Sequence, residues 1–226
     1  MSDTVLSNTF LGSVNPLSKA QIQLGIGDWE EYKNLMDRRL YLTSEIMTTS
    51  DEDNGEDYFK SRTMCLVDSI LEYNRYDAEH DTPPKERKPI RLYINSPGGN
   101  TTEGFSLVST IELSKTPIYT INIGQWSSMA FLIGIVGHKR FSLPNMRFLM
   151  HEGYTGAYES SSKAQDLMRF LDRFEREVVK EQVLRHGKLT AEEYDSRIRE
   201  EVYMLPEDAL KYGFIDEIVT DIDTIL

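Results

Sequence analysis

The chain holds a single cysteine, Cys65, so no internal disulfide can form, and no Cys/His pattern with metal-ligand spacing exists. No metal site and no cofactor are expected. Cys65 lies in the apolar stretch MCLVDSIL and reads as a small buried hydrophobe. Positive charge is scarce: 25 Lys and Arg stand against 37 Asp and Glu, a net charge of −12. That balance argues against nucleic acid and anionic membrane as partners. No apolar run reaches the roughly 18 residues of a membrane span. The opening MSDTVLSNTF lacks a basic start and an apolar core, so no secretory signal is expected. A cytoplasmic location fits these absences. No phosphate loop of the form G-x-x-x-x-G-K-[ST] occurs, so ATP is not hydrolysed by that route. There is no internal repeat and no low-complexity tract.

What is present is a mix of short β-rich runs and helical periodicities. Residues 1–27 read as an N-terminal arm, and residues 28–226 as one domain. RLYL (39–42) reads as the first strand, and 48–57 as an acidic loop containing Asn-Gly. From Tyr58 to Tyr73 apolar residues fall at helical spacing, with Cys65, Leu66, Ile70 and Tyr73 on the stripe. Residues 77–89 form a charged connector, followed by the strand IRLYI (90–94) and the turn NSPGG. A helix with Phe105, Val108 and Ile111 on one side comes next, then the strand IYTINI (118–123), ending at a glycine turn. Ser127 opens an apolar helix, and RFSL (140–143) and RFLM (147–150) are short strands. Residues 160–186 form a long helix with the seam Leu167, Phe170, Leu171, Phe174 and Val178. Thr190 and Glu193 spell a capping box, Pro206 opens a helix that stops at Gly213, and FIDEI (214–218) is a last strand. This alternation predicts an α/β core of mostly parallel strands. The helices from 160 to 199 stand outside its rhythm.

Ligands in such folds bind beyond the carboxyl ends of the strands. Three loops fall there: NSPGG (95–99), GQWSSM (124–129) and MHEGYTG (150–156). A serine between a strand and an apolar helix has unpaired backbone N–H groups beside it, as a nucleophile needs for its oxyanion. The plainer reading makes Ser127 and Ser128 helix caps. The two glycines of NSPGG let backbone approach a ligand closely, or serve only a turn. His151 is the one histidine at the end of an apolar strand; His80, His138 and His186 lie in a charged loop, a turn and a helix end.

Taken together, YINSPGG (93–99), GQWSSM with Ser128, RFSLPN (140–145), Met150-His151 and EDALKYGFIDEI (207–218) resemble the proteolytic subunit of the Clp protease, the ClpP family of serine peptidases. The likeness spans about 90–218 and, more weakly, RLYLTSEI (39–46). It implies a ClpP/crotonase-like α/β fold with a protruding handle helix at about 160–186. By position, the resemblance makes Ser128 the nucleophile, His151 the base and Glu201 the third triad member, with Glu200 its neighbour. It makes the N–H groups of Gly99 and Met129 the oxyanion hole. Substrate would lie extended along the NSPGG strand, near Gly98, Gly153 and Tyr154, with little sequence selectivity. The family cleaves unfolded polypeptides inside two stacked seven-membered rings, a tetradecamer fed by a hexameric Clp ATPase through a pore that the N-terminal arm lines. The helix seam would then be exposed on a lone subunit.

The sequence departs from the family pattern at Trp126 and Ser127, where small residues are usual, at Gly153, where proline is usual, and at Glu200, where arginine is usual. Residues 47–89 are expanded. These departures keep a second reading open, a weakly active or non-catalytic subunit in a mixed ring with a paralogue. A third reading is a CoA-ester enzyme of the crotonase fold.

Overall fold

The computed structural model describes residues 36–48, 61–153 and 161–226. The arm at 1–27, the acidic loop and Tyr154 lie outside the described residues. Strand β1 (Arg39–Leu42) is followed by helix α1 (Arg62–Glu79), β2 (Ile90–Ser96), α2 (Thr101–Leu113), β3 (Ile118–Ser127) and α3 (Met129–Ile135). Then come β4 (Lys139–Ser142), β5 (Arg147–Met150) and α4 (Ser161–Phe174). A π-helical turn (Glu175–Val179) joins α4 to α5 (Lys180–His186). Helix α6 (Ala191–Arg197), β6 (Val202–Met204), α7 (Pro206–Lys211) and β7 (Glu217–Ile218) follow, and a 3-10 turn (Ile222–Ile225) comes last.

The sheet runs β1-β2-β3-β4-β7, and β5 joins β3 while β6 joins β5. Every pairing is parallel except β5 with β6. The α/β, mostly parallel architecture expected from the alternation is therefore what the chain adopts. Strand β3 serves two neighbours on one side. Its first part, Tyr119 to Asn122, pairs with β4, and its end, Gln125 to Ser127, pairs with β5. Asn122 stitches this switch: buried, it donates from Nδ2 to the Arg147 carbonyl (3.1 Å) and accepts the Gly124 N–H (3.0 Å). The switch explains one correction. Gly124 is no turn, and the strand continues through it to Ser127 rather than stopping at Ile123. Gly124 instead admits Asn95, whose side chain a Cβ would meet at 2.2 Å.

Helix α3 is buried on all sides, as its wholly apolar run requires. It packs on β3, α2 and α5. Trp126 lies under it, 0% exposed, edge-on to Phe148 with centroids 5.4 Å apart. Gly134 of α3 faces its ring so closely that a Cβ would lie 2.3 Å away. The bulk of Trp126 is thus absorbed below the sheet end.

Helix α1 starts on Ser61, whose Oγ accepts the Met64 N–H (3.2 Å), and runs six residues past the expected Tyr73. Its buried stripe is Leu66, Ile70, Tyr73 and Asp77, and Cys65 falls off that stripe and is exposed. Asp77 meets Arg38 through two bonds (2.6 and 2.8 Å) and Thr116 Oγ1 through a third (2.8 Å). Strand β6 was not visible in the sequence; it is only three residues long. Of the expected seam, Leu167 and Phe170 on α4 are exposed, together with Met168, whereas Leu171, Phe174 and Val178 are partly buried. The capping box forms with both bonds, Glu193 N–H to Thr190 Oγ1 (3.2 Å) and Thr190 N–H to Glu193 (2.9 Å). No described helix is long and apolar enough to cross a membrane.

Candidate active site

Ser128 occupies the single residue between β3 and α3. Its φ of 55° and ψ of −124° lie where a non-glycine residue is strained, a conformation that persists only when its surroundings impose it. Those surroundings are explicit. The Ser128 N–H donates to the Leu149 carbonyl (2.9 Å), extending the β3–β5 ladder by one step, while its own carbonyl accepts the Phe131 N–H (2.9 Å) and starts α3. Its side chain makes no capping bond. The helix-cap reading therefore fails for Ser128, and Ser127 belongs to the strand, with Oγ toward Gln125 Oε1 at 3.4 Å.

Gly98 closes the turn from the other side. At φ 96° it sits where a Cβ would lie 2.6 Å from the Ser127 carbonyl oxygen, 2.8 Å from Ser128 Cβ and 2.9 Å from the Met129 nitrogen. Gly99 (φ 137°) passes equally close to Ile46, with a Cβ 2.2 Å from its carbonyl oxygen. The loop is held there by Ile46 N–H to Gly98 O (2.8 Å), Asn100 N–H to Ile46 O (2.7 Å) and Ser96 Oγ to the Ser44 carbonyl (2.7 Å). The Gly98 N–H is used by Ser96 Oγ (3.2 Å). Among the described residues the N–H groups of Gly99 and Met129 meet no acceptor. Those are the two donors singled out from the sequence.

His151 follows β5 directly, and both its ring nitrogens are shielded from solvent. It lines one cleft with Ser128, Met129 and Gly153. Glu201 precedes β6. The last β5–β6 pair is Met150 with Val202, so the next positions on the two strands are His151 and Glu201. The Glu201 carboxylate is exposed and accepts a hydrogen bond from the Tyr203 hydroxyl. Gly153 has no described residue within 4 Å of a Cβ built on it. Remote stretches of chain thus bring Ser128, Met129 and His151 to one place, with the NSPGG backbone against the serine.

The far wall was not anticipated. It comes from the helices after residue 160: Glu175, Val179 and Val183 on one helical line, with Tyr194 behind them. The Tyr194 hydroxyl donates to Glu175 Oε1 (2.8 Å). Burial raises the Glu175 carboxyl above its usual range, Tyr194 partly offsets this, and the negative charge of Glu152 adds to it. Burial and the neighbouring Glu175 also push the Tyr194 hydroxyl up. A uniform helical period could not reveal this wall. The π turn inserts one residue, so the seam at Leu167, Leu171 and Phe174 continues at 175, 179 and 183 instead of 178. The other histidines make local contacts: His80 Nδ1 faces the Tyr76 carbonyl (2.8 Å), His138 Nδ1 faces the Ile118 N–H (3.2 Å), and His186 Nε2 meets Glu112 (2.9 Å).

Fold and cleft define an α/β protein that sets a strained serine, a histidine and the open Met129 amide around one cleft. The family model for Clp protease matches residues 82–221, more than half of the chain, and the chain belongs to that family. The family is one of serine peptidases whose subunits assemble into rings that work with Clp ATPases.

Proposed function

We propose that this chain is an active proteolytic subunit that cleaves unfolded polypeptides to short peptides, with Ser128 as nucleophile, His151 as general base and Glu201 as the carboxylate that orients it. The observation that carries the reading is Ser128: strained, uncapped, and facing the same cleft as His151. In this mechanism Ser128 Oγ attacks the scissile carbonyl carbon while its proton passes to the His151 ring. The carbonyl oxygen becomes an oxyanion held by the N–H groups of Gly99 and Met129; one such donor is typically worth about 2.7–4 kcal/mol. Collapse of the intermediate breaks the C–N bond, and the imidazolium gives its proton to the leaving amine. Water then attacks the acyl-enzyme with the same base. Glu201 fixes the imidazole tautomer and steadies its positive charge from the neighbouring strand position.

Substrate lies extended beside the NSPGG backbone, which bonds main chain to main chain. Gly98 lets this backbone lie against the Ser128 turn, Gly153 leaves room for substrate, and Tyr154 stands next along the chain. Exposed Leu167, Met168 and Phe170 on α4 support assembly through this helix, as two stacked seven-membered rings. A hexameric Clp ATPase delivers substrate to these rings.

A fluorophosphonate probe tests the chemistry. The assembled protein is expected to be labelled at Ser128, and Ser128→Ala to lose the label. Absence of label on the assembled wild type would refute the enzyme reading and leave a non-catalytic subunit of a mixed ring.

A further inference from the structure

Among the described residues the cleft contains one carboxyl that bond cleavage does not use. Glu175 is half-buried in its wall, and the Tyr194 hydroxyl that bonds it belongs to a side chain only 2% exposed. Among the described residues no cation pairs with Glu175. The basic side chains of its own helix are taken: Arg173 by Glu177 (2.8 Å), Arg176 by Asp172 (2.8 Å), and Lys180 by both oxygens of Asp195 (2.7 and 2.8 Å). The nearby charge that acts on it is the negative one of Glu152. A carboxyl withdrawn from water without a counter-cation is costly, and a cation arriving with the substrate relieves that cost. The wall between Ser128 and Glu175 is apolar, built from Phe105, Met129, Val179 and Val183. Such a wall suits the methylene stem of a long side chain whose charged end continues past it.

We propose that this cleft takes a long basic side chain, lysine or arginine, from the residue whose carbonyl Ser128 attacks, with Glu175 as the specificity-determining residue. Phe105 and Val179 hold the stem, Tyr194 holds one carboxylate oxygen, and the incoming cation takes the rest. The proposal rests on Ser128 being the nucleophile. It adds a preference that main-chain recognition alone does not provide.

Matched fluorogenic peptides that differ only at that residue test it, carrying lysine, arginine, norleucine or glutamate. Norleucine keeps the stem and lacks the charge. Wild type is expected to favour lysine over norleucine in kcat/KM by about tenfold to a hundredfold, the range of one charge-assisted hydrogen bond. Glu175→Gln is expected to remove most of that ratio, and Glu175→Leu to invert it toward norleucine. Equal use of lysine and norleucine by wild type, or an unchanged ratio in Glu175→Gln, overturns the proposal. Fluorophosphonate labelling of the same samples reports Ser128 chemistry separately, since the probe carries no side chain for this pocket. Should labelling fail, the cleavage reading falls, and calorimetry with peptides ending in lysine or norleucine then reads the pocket directly. Tighter binding of the lysine peptide, lost in Glu175→Gln, upholds it, and equal binding overturns it.

Discussion

Gly98→Ala tests whether the turn at Ser128 is held by the packing described. The new methyl would lie 2.6 Å from the Ser127 carbonyl oxygen, 2.8 Å from Ser128 Cβ and 2.9 Å from the Met129 nitrogen. These atoms belong to a backbone turn fixed by the β3–β5 ladder on one side and by buried α3 on the other, so no flexible side chain can yield. The φ of 96° adds a penalty of roughly 1–2 kcal/mol for an L-residue. Overpacking adds about 1–3 kcal/mol. The sum, about 2–5 kcal/mol, corresponds to a Tm lower by very roughly 4–20 °C for a chain of this size. Because the clash is with the serine turn itself, fluorophosphonate labelling should slow by at least about tenfold even below the new Tm. Gly153→Ala is the stability control. Among the described residues nothing stands within 4 Å of its added methyl, and its Tm should stay within about 2 °C of wild type. Both variants must be compared at one protein concentration, since assembly shifts Tm. A Gly98→Ala protein with unchanged Tm and unchanged labelling would refute this account of the turn.

Three further outcomes follow from the packing. Asp77→Ala leaves the Arg38 guanidinium buried without a counter-charge, bonded to the Lys88 carbonyl, and should cost about 3–5 kcal/mol by chemical denaturation. Burial would push the Asp77 carboxyl up, but its bonds to Arg38 and Thr116 outweigh burial and hold it below the usual range. Its stabilising contribution is therefore complete above the ordinary aspartate range and is lost as pH falls below it. The wild type should lose stability there, and Asp77→Ala should lose less. Trp126→Ala empties the site between Phe148 and Gly134 and should cost about 3–5 kcal/mol, read by denaturant midpoint. Thr190→Ala removes one arm of the capping box and should cost about 1 kcal/mol, with the loss confined to α6 in hydrogen exchange.

The sequence made the site legible where the constraint is local. Strand ends, glycines and a lone strand-end histidine are residue-type signals, and they marked Ser128, His151 and the NSPGG loop together. The family likeness then assigned Gly99 and Met129. What stayed hidden depends on contacts between distant segments. The continuation of β3 through Gly124 is a consequence of β5 taking over from β4, which no window around residue 124 contains. Cys65 lies among apolar neighbours in sequence, yet the helix turns it away from the core once Leu66, Ile70 and Tyr73 have set the buried stripe. Trp126 departs from the small residue usual at its position, and the sequence does not show the partners that accommodate it, Phe148 of β5 and Gly134 of α3.

The helix after residue 160 shows most clearly why periodicity alone was insufficient. Read at one fixed period, it has a single apolar seam, and its acidic residues are solvated. The structure divides it into two stretches that serve different surroundings. Through Phe170 the apolar side chains face outward, while Phe174 meets Phe105 edge-on at 5.0 Å and begins the inward contact. A single extra residue in the π turn then rotates the following stretch by about 100°, the angle one residue subtends on an α-helix. That rotation carries Glu175 off the solvated face and into the wall opposite Ser128, with Val179 and Val183 beneath it. Its burial, its bond to Tyr194 and its raised carboxyl all descend from that one-residue offset. The π turn is thus the local feature that makes a helix with an exposed apolar end also a wall of the cleft.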